Sequence, residues 1–226
     1  MKTLTLDKKD IAKGSLVLIN HSHPLRYAAK DDNLVPVRPD YPDILLEKQT
    51  AKMLAKLTAI LECEHQIVPV SGYRTSNEQK TIYLDSINNN GKEFTQQFVA
   101  APDCSEHQTG LAIDLAKDKP NIDFICPDFP YAGICQAFRE RASQYGFIER
   151  YQAGKEAITK IAQEPWHFRY VGYPHSEVIQ EEHLTLEEYT LLLKQFYYAG
   201  RHLQKRIRGW DIEVFFKVSK SYLALA

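Results

Sequence analysis

Apolar residues recur along the 226-residue chain with two periods, and the changes from one period to the other mark out the expected elements. Leu46, Met53, Leu54, Leu57, Ile60 and Leu61 follow a helical spacing, which predicts one amphipathic helix between Pro42 and Cys63. The β-branched run "IVPVSGYR" then reads as a short strand ending at Gly72. Thr75 with Glu78 forms a capping-box pattern that opens a second helix, and Gly91 closes it. "GLAIDL" and "WHFRYV" read as strands, with "YAGICQAFRERASQYG" as a helix between them that Gly146 stops. Thr185 with Glu188 opens another capped helix running to about Tyr198. Strands and helices do not alternate as they do in a parallel sheet, so the expected class is α+β, with a small central antiparallel sheet flanked by helices.

Length and charge narrow this picture. The chain has the size of one domain with an addition. We expect a catalytic domain over residues 1–200, followed by an extension over 201–226 in which six basic residues face two acidic ones. The alternation around "IEVFFKVS" there fits an added hairpin or strand. A formal charge of -1 and a hydrophobic content of 44% argue against disorder and give no whole-chain basis for nucleic-acid binding. The apolar run Leu16 to Ile19 is shorter than a signal-peptide core of about 7 to 15 residues. No stretch approaches the roughly 20 apolar residues that cross a bilayer, so the expectation is a cytoplasmic protein without a membrane anchor. Cys63, Cys104, Cys126 and Cys135 contain no C-x-x-C pair and are expected to be reduced.

The candidate chemistry lies in three stretches. "SEHQTGLAID" places His107 and Asp114 on either side of Gly110, which lets the chain pass close by. "QEPWHFRY" adds Glu164 and His167, with Pro165 biasing Glu164 away from the helical region. In a regular strand, residues three apart point to opposite faces, so the backbone must bulge or turn if both act in one site. If His107, Asp114 and His167 converge, two imidazoles and a carboxylate suit Zn²⁺ with a fourth position left for water. Glu164 is then free to act as base. "SGYRTSNEQ" offers Arg74, a fixed charge suited to an oxyanion or a substrate carboxylate. Tyr73 and Trp166 read as core residues beside strand ends, His175 as a partner of the site or a turn residue, and His21 and His23 as N-terminal packing.

In order and approximate separation these stretches resemble the zinc D,D-peptidases of the peptidase M15 family, most nearly the VanXY-type D,D-dipeptidase/D,D-carboxypeptidases of vancomycin resistance. The resemblance spans roughly residues 16 to 198 and rests on S-x-H-x-x-G-x-A-x-D followed by E-x-W-H. It implies a hedgehog/D,D-peptidase-like fold, zinc held by His107, Asp114 and His167, Glu164 as catalytic base and Arg74 as transition-state stabiliser. It also implies that Ser105 and Gln79 hold the substrate's terminal groups. The implied substrates are the D-Ala-D-Ala dipeptide and muramyl pentapeptide precursors, with "AAPDC" and "QAGKEAITKIAQ" as candidate rim segments. An apolar pocket would reject D-Ala-D-Ser only modestly, by about a hundredfold. Alternatives on the same zinc frame are an L,D-carboxypeptidase, a peptidoglycan endopeptidase, or a zinc-stabilised binding module, and the last has no need of Glu164 or Arg74.

Overall fold

The computed structural model describes residues 2–6, 14–26, 31–196 and 202–216. Strand β1 (Lys2–Leu6) precedes a hairpin of β2 (Leu34–Arg38) and β3 (Tyr41–Glu47), and helix α1 (Lys48–Leu61) follows without a loop. Next come β4 (Ile67–Ser71), α2 (Ser76–Asn90), α3 (Lys92–Phe98), a 3₁₀ turn (Glu106–Thr109) and β5 (Ala112–Lys117). The chain continues through α4 (Gly133–Ala142), β6 (Phe147–Tyr151), the single turn α5 (Glu156–Thr159) and β7 (Glu164–Tyr170). It then passes through α6 (His175–Glu181), α7 (Leu186–Leu193), β8 (Leu203–Ile207) and β9 (Trp210–Phe216). The fold is α+β around a four-stranded antiparallel sheet ordered β4-β5-β7-β6.

The expected helix from Pro42 is corrected. Tyr41–Glu47 is a strand paired with β2, and the helix starts only at Lys48. Leu46 lies one helical repeat before Met53 and so imitates the helix period, but the consecutive Ile44, Leu45 and Leu46 form a strand edge. Glu47 makes the switch, because its carboxylate accepts the Thr50 N–H at 2.9 Å and caps α1. The capping boxes at Thr75/Glu78 and Thr185/Glu188 are both present. The second of these helices ends at Leu193 instead of near Tyr198, and Tyr198 lies outside the described residues.

Two apolar clusters sandwich the sheet. Ile113, Leu115, Phe147 and Phe168 turn to one face and pack against Leu54 and Leu57 of α1 and Phe138 of α4. Behind the other face, Ile148 and Val171 meet Val178, Tyr189, Ile207 and Ile212, which draws α6, α7 and the β8–β9 hairpin together. That hairpin pairs in parallel with β1, joining the first and last described strands in a second sheet ordered β1-β9-β8. Among the described residues no helix is long and apolar enough to cross a membrane.

Candidate active site and metal centre

Strand register builds half of the site. Asp114 of β5 stands opposite His167 of β7, and the next pair, Ile113 with Phe168, lies in the core. Alternation therefore sends the carboxylate and the imidazole together to the other face, from Cβ atoms about 5 Å apart as cross-strand neighbours have. Two bulges complete the arrangement. Along β7 the partners advance four residues, Glu164 to Phe168, while β6 advances two, Glu149 to Tyr151. This extra length turns Glu164 back toward His167, leaving its Oε2 3.6 Å from His167 Nδ1. β4 likewise advances two residues, Pro69 to Ser71, against one on β5 just before Asp114.

His107 comes from the 3₁₀ turn. Gly110 ends that turn at φ 70°, and a Cβ there would lie 2.9 Å from Glu47 N and from Leu34 Cδ2. The turn is thus pressed onto the β2–β3 hairpin, where Glu47 N–H donates to Gly110 O at 2.9 Å. His107 Nδ1 donates to Gly72 O at 2.7 Å, which leaves Nε2 as a bare lone pair 3.0 Å from Asp114 Oδ2. His167 Nδ1 lies 3.0 Å from Asp114 Oδ1.

His107, Asp114 and His167 are all buried, and each offers one ligand atom within 4.8 Å of the others. Among the described residues, His107 Nε2 and Asp114 Oδ1 have no hydrogen-bond partner. Two acceptors 3.0 Å apart with no proton between them repel. A cation among them removes that repulsion, and ligand bonds of about 2.0 to 2.2 Å at tetrahedral angles need donors a little over 3 Å apart. The donor set and spacing therefore fit a divalent metal.

Charge is arranged around this cluster. Asp114 is held well below the usual carboxylate range, because His107 and His167 outweigh the opposing effect of burial. Burial and the Arg74 charge depress His107 to about 4. His167 is raised to about 9: burial opposes this, but hydrogen bonding and charge from Asp114, together with Glu106, prevail. The metal-free cluster therefore keeps its spare proton on His167. Burial pushes Glu164 up to about 8, with Asp114 adding to the rise and His167 opposing it.

Arg74 lies on the loop between β4 and α2. Its Nη1 donates to Gln79 Oε1 at 3.0 Å, its Nη2 reaches Asp114 Oδ2 at 3.3 Å, and its Nε is buried without a partner among the described residues. Gln79 is engaged at both ends, since its Nε2 also donates to Ala100 O at 2.7 Å. The Gln79 amide thus aims the guanidinium. Ser105 is buried on the cleft wall and starts the 3₁₀ turn, although its hydroxyl caps nothing there.

These groups line one open cleft of about 490 Å³, counting the solvent in its mouth. Phe98, Val99, Ala100 and Ile161 form apolar walls, and Ala162 N–H, in the second expected rim segment, donates to Gln97 O of α3 at 2.9 Å. Trp166 both lines the cleft and belongs to the core cluster. His175 is elsewhere, buried with its Nδ1 2.7 Å from the Tyr189 hydroxyl, and His21 and His23 are exposed.

The sequence reading passed over several contributors. Phe124 and Ile125, on the loop after β5, form a third side of the cleft, and Tyr151 packs on His167 with ring centroids 4.9 Å apart. Glu106, Arg150 and Arg169 form a fully buried ion cluster behind His107 and His167. A signal for Arg169 was present, because it lies two residues past His167 and must share its face.

Residues 43–173 match the family model described as VanY, D-alanyl-D-alanine carboxypeptidase. The chain is 44% identical over 182 residues to a bifunctional D-Ala-D-Ala dipeptidase and D-Ala-D-Ala carboxypeptidase, VanXYC, of Enterococcus gallinarum, covering 80% of this chain and 96% of that one. Among solved structures it is similar to the vancomycin-resistance D,D-dipeptidase VanXYg in complex with a D-Ala-D-Ala phosphinate analog, at 47% identity and a TM-score of 0.87 over 93% of this chain and 83% of that one. It is also similar to a mutant VanY D,D-pentapeptidase from a VanB-type resistance cassette in complex with Zn(II), at 26% identity and a TM-score of 0.62 over 78% of this chain and 98% of that one. A family match across more than half of the sequence, on a site of this composition, makes the chain a peptidase that belongs to the VanY family of D-alanyl-D-alanine carboxypeptidases.

Proposed function

We propose that the chain is a zinc D,D-peptidase that hydrolyses free D-Ala-D-Ala and also removes the terminal D-Ala from muramyl pentapeptide precursors, giving glycopeptide resistance. The observation that carries this is the convergence of His107, Asp114 and His167 on one buried point, with Glu164 and Arg74 in the same cleft. A structural metal site needs neither of the last two. When bound, zinc supplies a Lewis acid and lowers the pKa of its water to about 7.

Glu164 takes the proton of the attacking water and passes it to the leaving amine. Burial raises this carboxyl in the metal-free protein, and a cation bound beside it lowers it again, so that it can accept the proton. Arg74, held by Gln79, meets the negative charge that develops on the scissile carbonyl oxygen or is already present on the substrate carboxylate. Ser105, on the cleft wall, holds a terminal group of the substrate, and the apolar walls accept the methyl groups of D-alanine. Cleavage of a free dipeptide draws on a precursor pool, which puts the reaction in the cytoplasm.

The test is D-alanine release from D-Ala-D-Ala and from UDP-linked muramyl pentapeptide, with zinc-loaded and chelated protein side by side. Release from both substrates, abolished by chelation, is the expected result. Release from neither with zinc bound would refute the assignment, and release from only one would refute the dual activity.

A further inference from the structure

Behind the metal ligands lies a group of charges that the reaction scheme above does not use. Glu106, one residue before His107, is 1% exposed. Its Oε1 accepts from Arg150 Nε at 2.9 Å and from Arg169 Nη1 at 2.8 Å. Both arginines are anchored away from the site. Arg150 makes a forked pair with Glu187 of α7 at 2.9 and 2.7 Å, and Arg169 Nη2 donates to Ser15 O and Val17 O at 2.8 Å each. Oε1 is thereby fixed, which leaves Oε2 buried without a hydrogen-bond partner among the described residues. It faces His167 Nε2 at 3.6 Å, and that nitrogen is likewise buried and unpartnered.

We propose that Glu106 is a positioning residue that accepts the Nε2 proton of His167 and so commits His167 Nδ1 to the metal. The inference rests on the metal reading above. A neutral imidazole carries one proton, and His167 has a carboxylate at each nitrogen, Asp114 at Nδ1 and Glu106 at Nε2. A proton on Nδ1 would bond Asp114 and remove the lone pair that a metal needs. A proton on Nε2 frees that lone pair, and a ring movement of about half an ångström brings the 3.6 Å separation to an ordinary hydrogen bond. The arginine pair keeps Glu106 an acceptor. His107 is set the opposite way, with Nδ1–H on the Gly72 carbonyl and Nε2 toward the metal point. The two histidines thus present different nitrogens, each chosen by what stands behind it.

Glu106→Gln tests this without opening a cavity. Two arginines hold the amide oxygen at the Oε1 position, so the NH₂ faces His167 Nε2, donor against donor, and favours the tautomer that cannot bind. Glu187→Gln is the control, because it unpairs Arg150 without touching the Glu106–His167 contact. Zinc affinity by chelator competition and the visible spectrum of the cobalt-substituted protein are read for the full chain. Glu106→Gln is expected to weaken zinc about 10- to 100-fold and to alter the cobalt bands, with Glu187→Gln within about threefold of the parent. Equal weakening in both variants, or none in Glu106→Gln, would overturn the proposal. Where Glu106→Gln fails to fold, ¹⁵N spectra of the zinc-loaded parent decide. A protonated His167 Nε2 with its proton shifted far downfield supports the assignment, and a bare Nε2 refutes it. A parent that binds no zinc would refute the metal reading itself, whereas a zinc-binding parent with an indifferent Glu106→Gln refutes only the role of Glu106.

Discussion

Glu164→Gln should have opposite effects on stability and on activity, and the buried environment sets both magnitudes. In metal-free protein the Glu164 carboxyl is raised from 4.5 to about 8 by burial. An acid raised in the folded state loses its proton first in the unfolded chain, so its contribution to stability falls as pH rises from 4.5 toward 8. By linkage that loss is under about 1 kcal/mol at pH 5 and on the order of 4 kcal/mol at pH 8. Glutamine keeps the shape and never ionises. Chelated Glu164→Gln should therefore match the parent near pH 5 in urea unfolding and exceed it increasingly up to pH 8. The zinc-loaded variant should at the same time lose roughly two to four powers of ten in turnover, because the attacking water lacks its proton acceptor. A variant less stable than the parent at pH 8 would show that Glu164 is held by favourable contacts instead of being stranded by burial. Turnover within tenfold of the parent would remove it as the base.

Zinc binding at pH 7.5 should release between about one and two protons, because Asp114 and Glu106 keep His167 protonated up to about 9, burial keeps Glu164 protonated up to about 8, and a bound cation displaces both protons; buffer-dependent calorimetry that finds no release would contradict this. Arg74→Lys breaks the fork between Gln79 and Asp114 and should cost about 10²- to 10³-fold in turnover while zinc stays bound, so an unchanged rate would remove Arg74 from the reaction. Gly110→Ala should destabilise the protein and weaken metal together, because the added Cβ meets Glu47 N at 2.9 Å and the φ of 70° disfavours alanine; a neutral result would mean the ligand turn is not pressed onto the hairpin. His175 is depressed to about 4 by burial, so the stability gained from keeping it neutral is complete above pH 6.5 and falls as pH drops, by roughly 2.5 kcal/mol at pH 4.5. His175→Gln should flatten that part of the acid-unfolding curve, and an identical curve would show that His175 does not drive it.

What could be read in advance divides along the range of the interactions. The capping boxes at Thr75 and Thr185 are satisfied within three residues of sequence, so their signal needs no knowledge of the fold. The pairing of Asp114 with His167 was accessible in part, because alternation on each strand says which face a residue takes but not which strands meet. The bulge at Glu164 followed from requiring two residues three apart to share a site, and β7 has it. Leu46 misled because one residue fits both periods, and only pairing with β2 decides between them. Glu106 was passed over for a related reason. An acidic residue beside a ligand looks solvated until two arginines, 44 and 63 positions away, are brought to it.

The buried charges also explain how a site of this kind survives in a core. Glu106, Asp114, Glu164, Arg150 and Arg169 have all left water, and each would be costly alone. They are not equally compensated. Glu106 is saturated by two guanidiniums and sits far below its usual pKa, whereas Glu164 has only partial support and sits far above. The first is therefore held as a negative charge, and the second, in the metal-free protein, is a group that can gain or lose a proton near neutrality. The proposed hydrolysis needs one of each, a constant field beside the histidines and a movable proton for the reaction. The fold separates them by placing Glu106 where β6 and β7 supply arginines on the same face as His167 and by placing Glu164 past the bulge, where that supply ends.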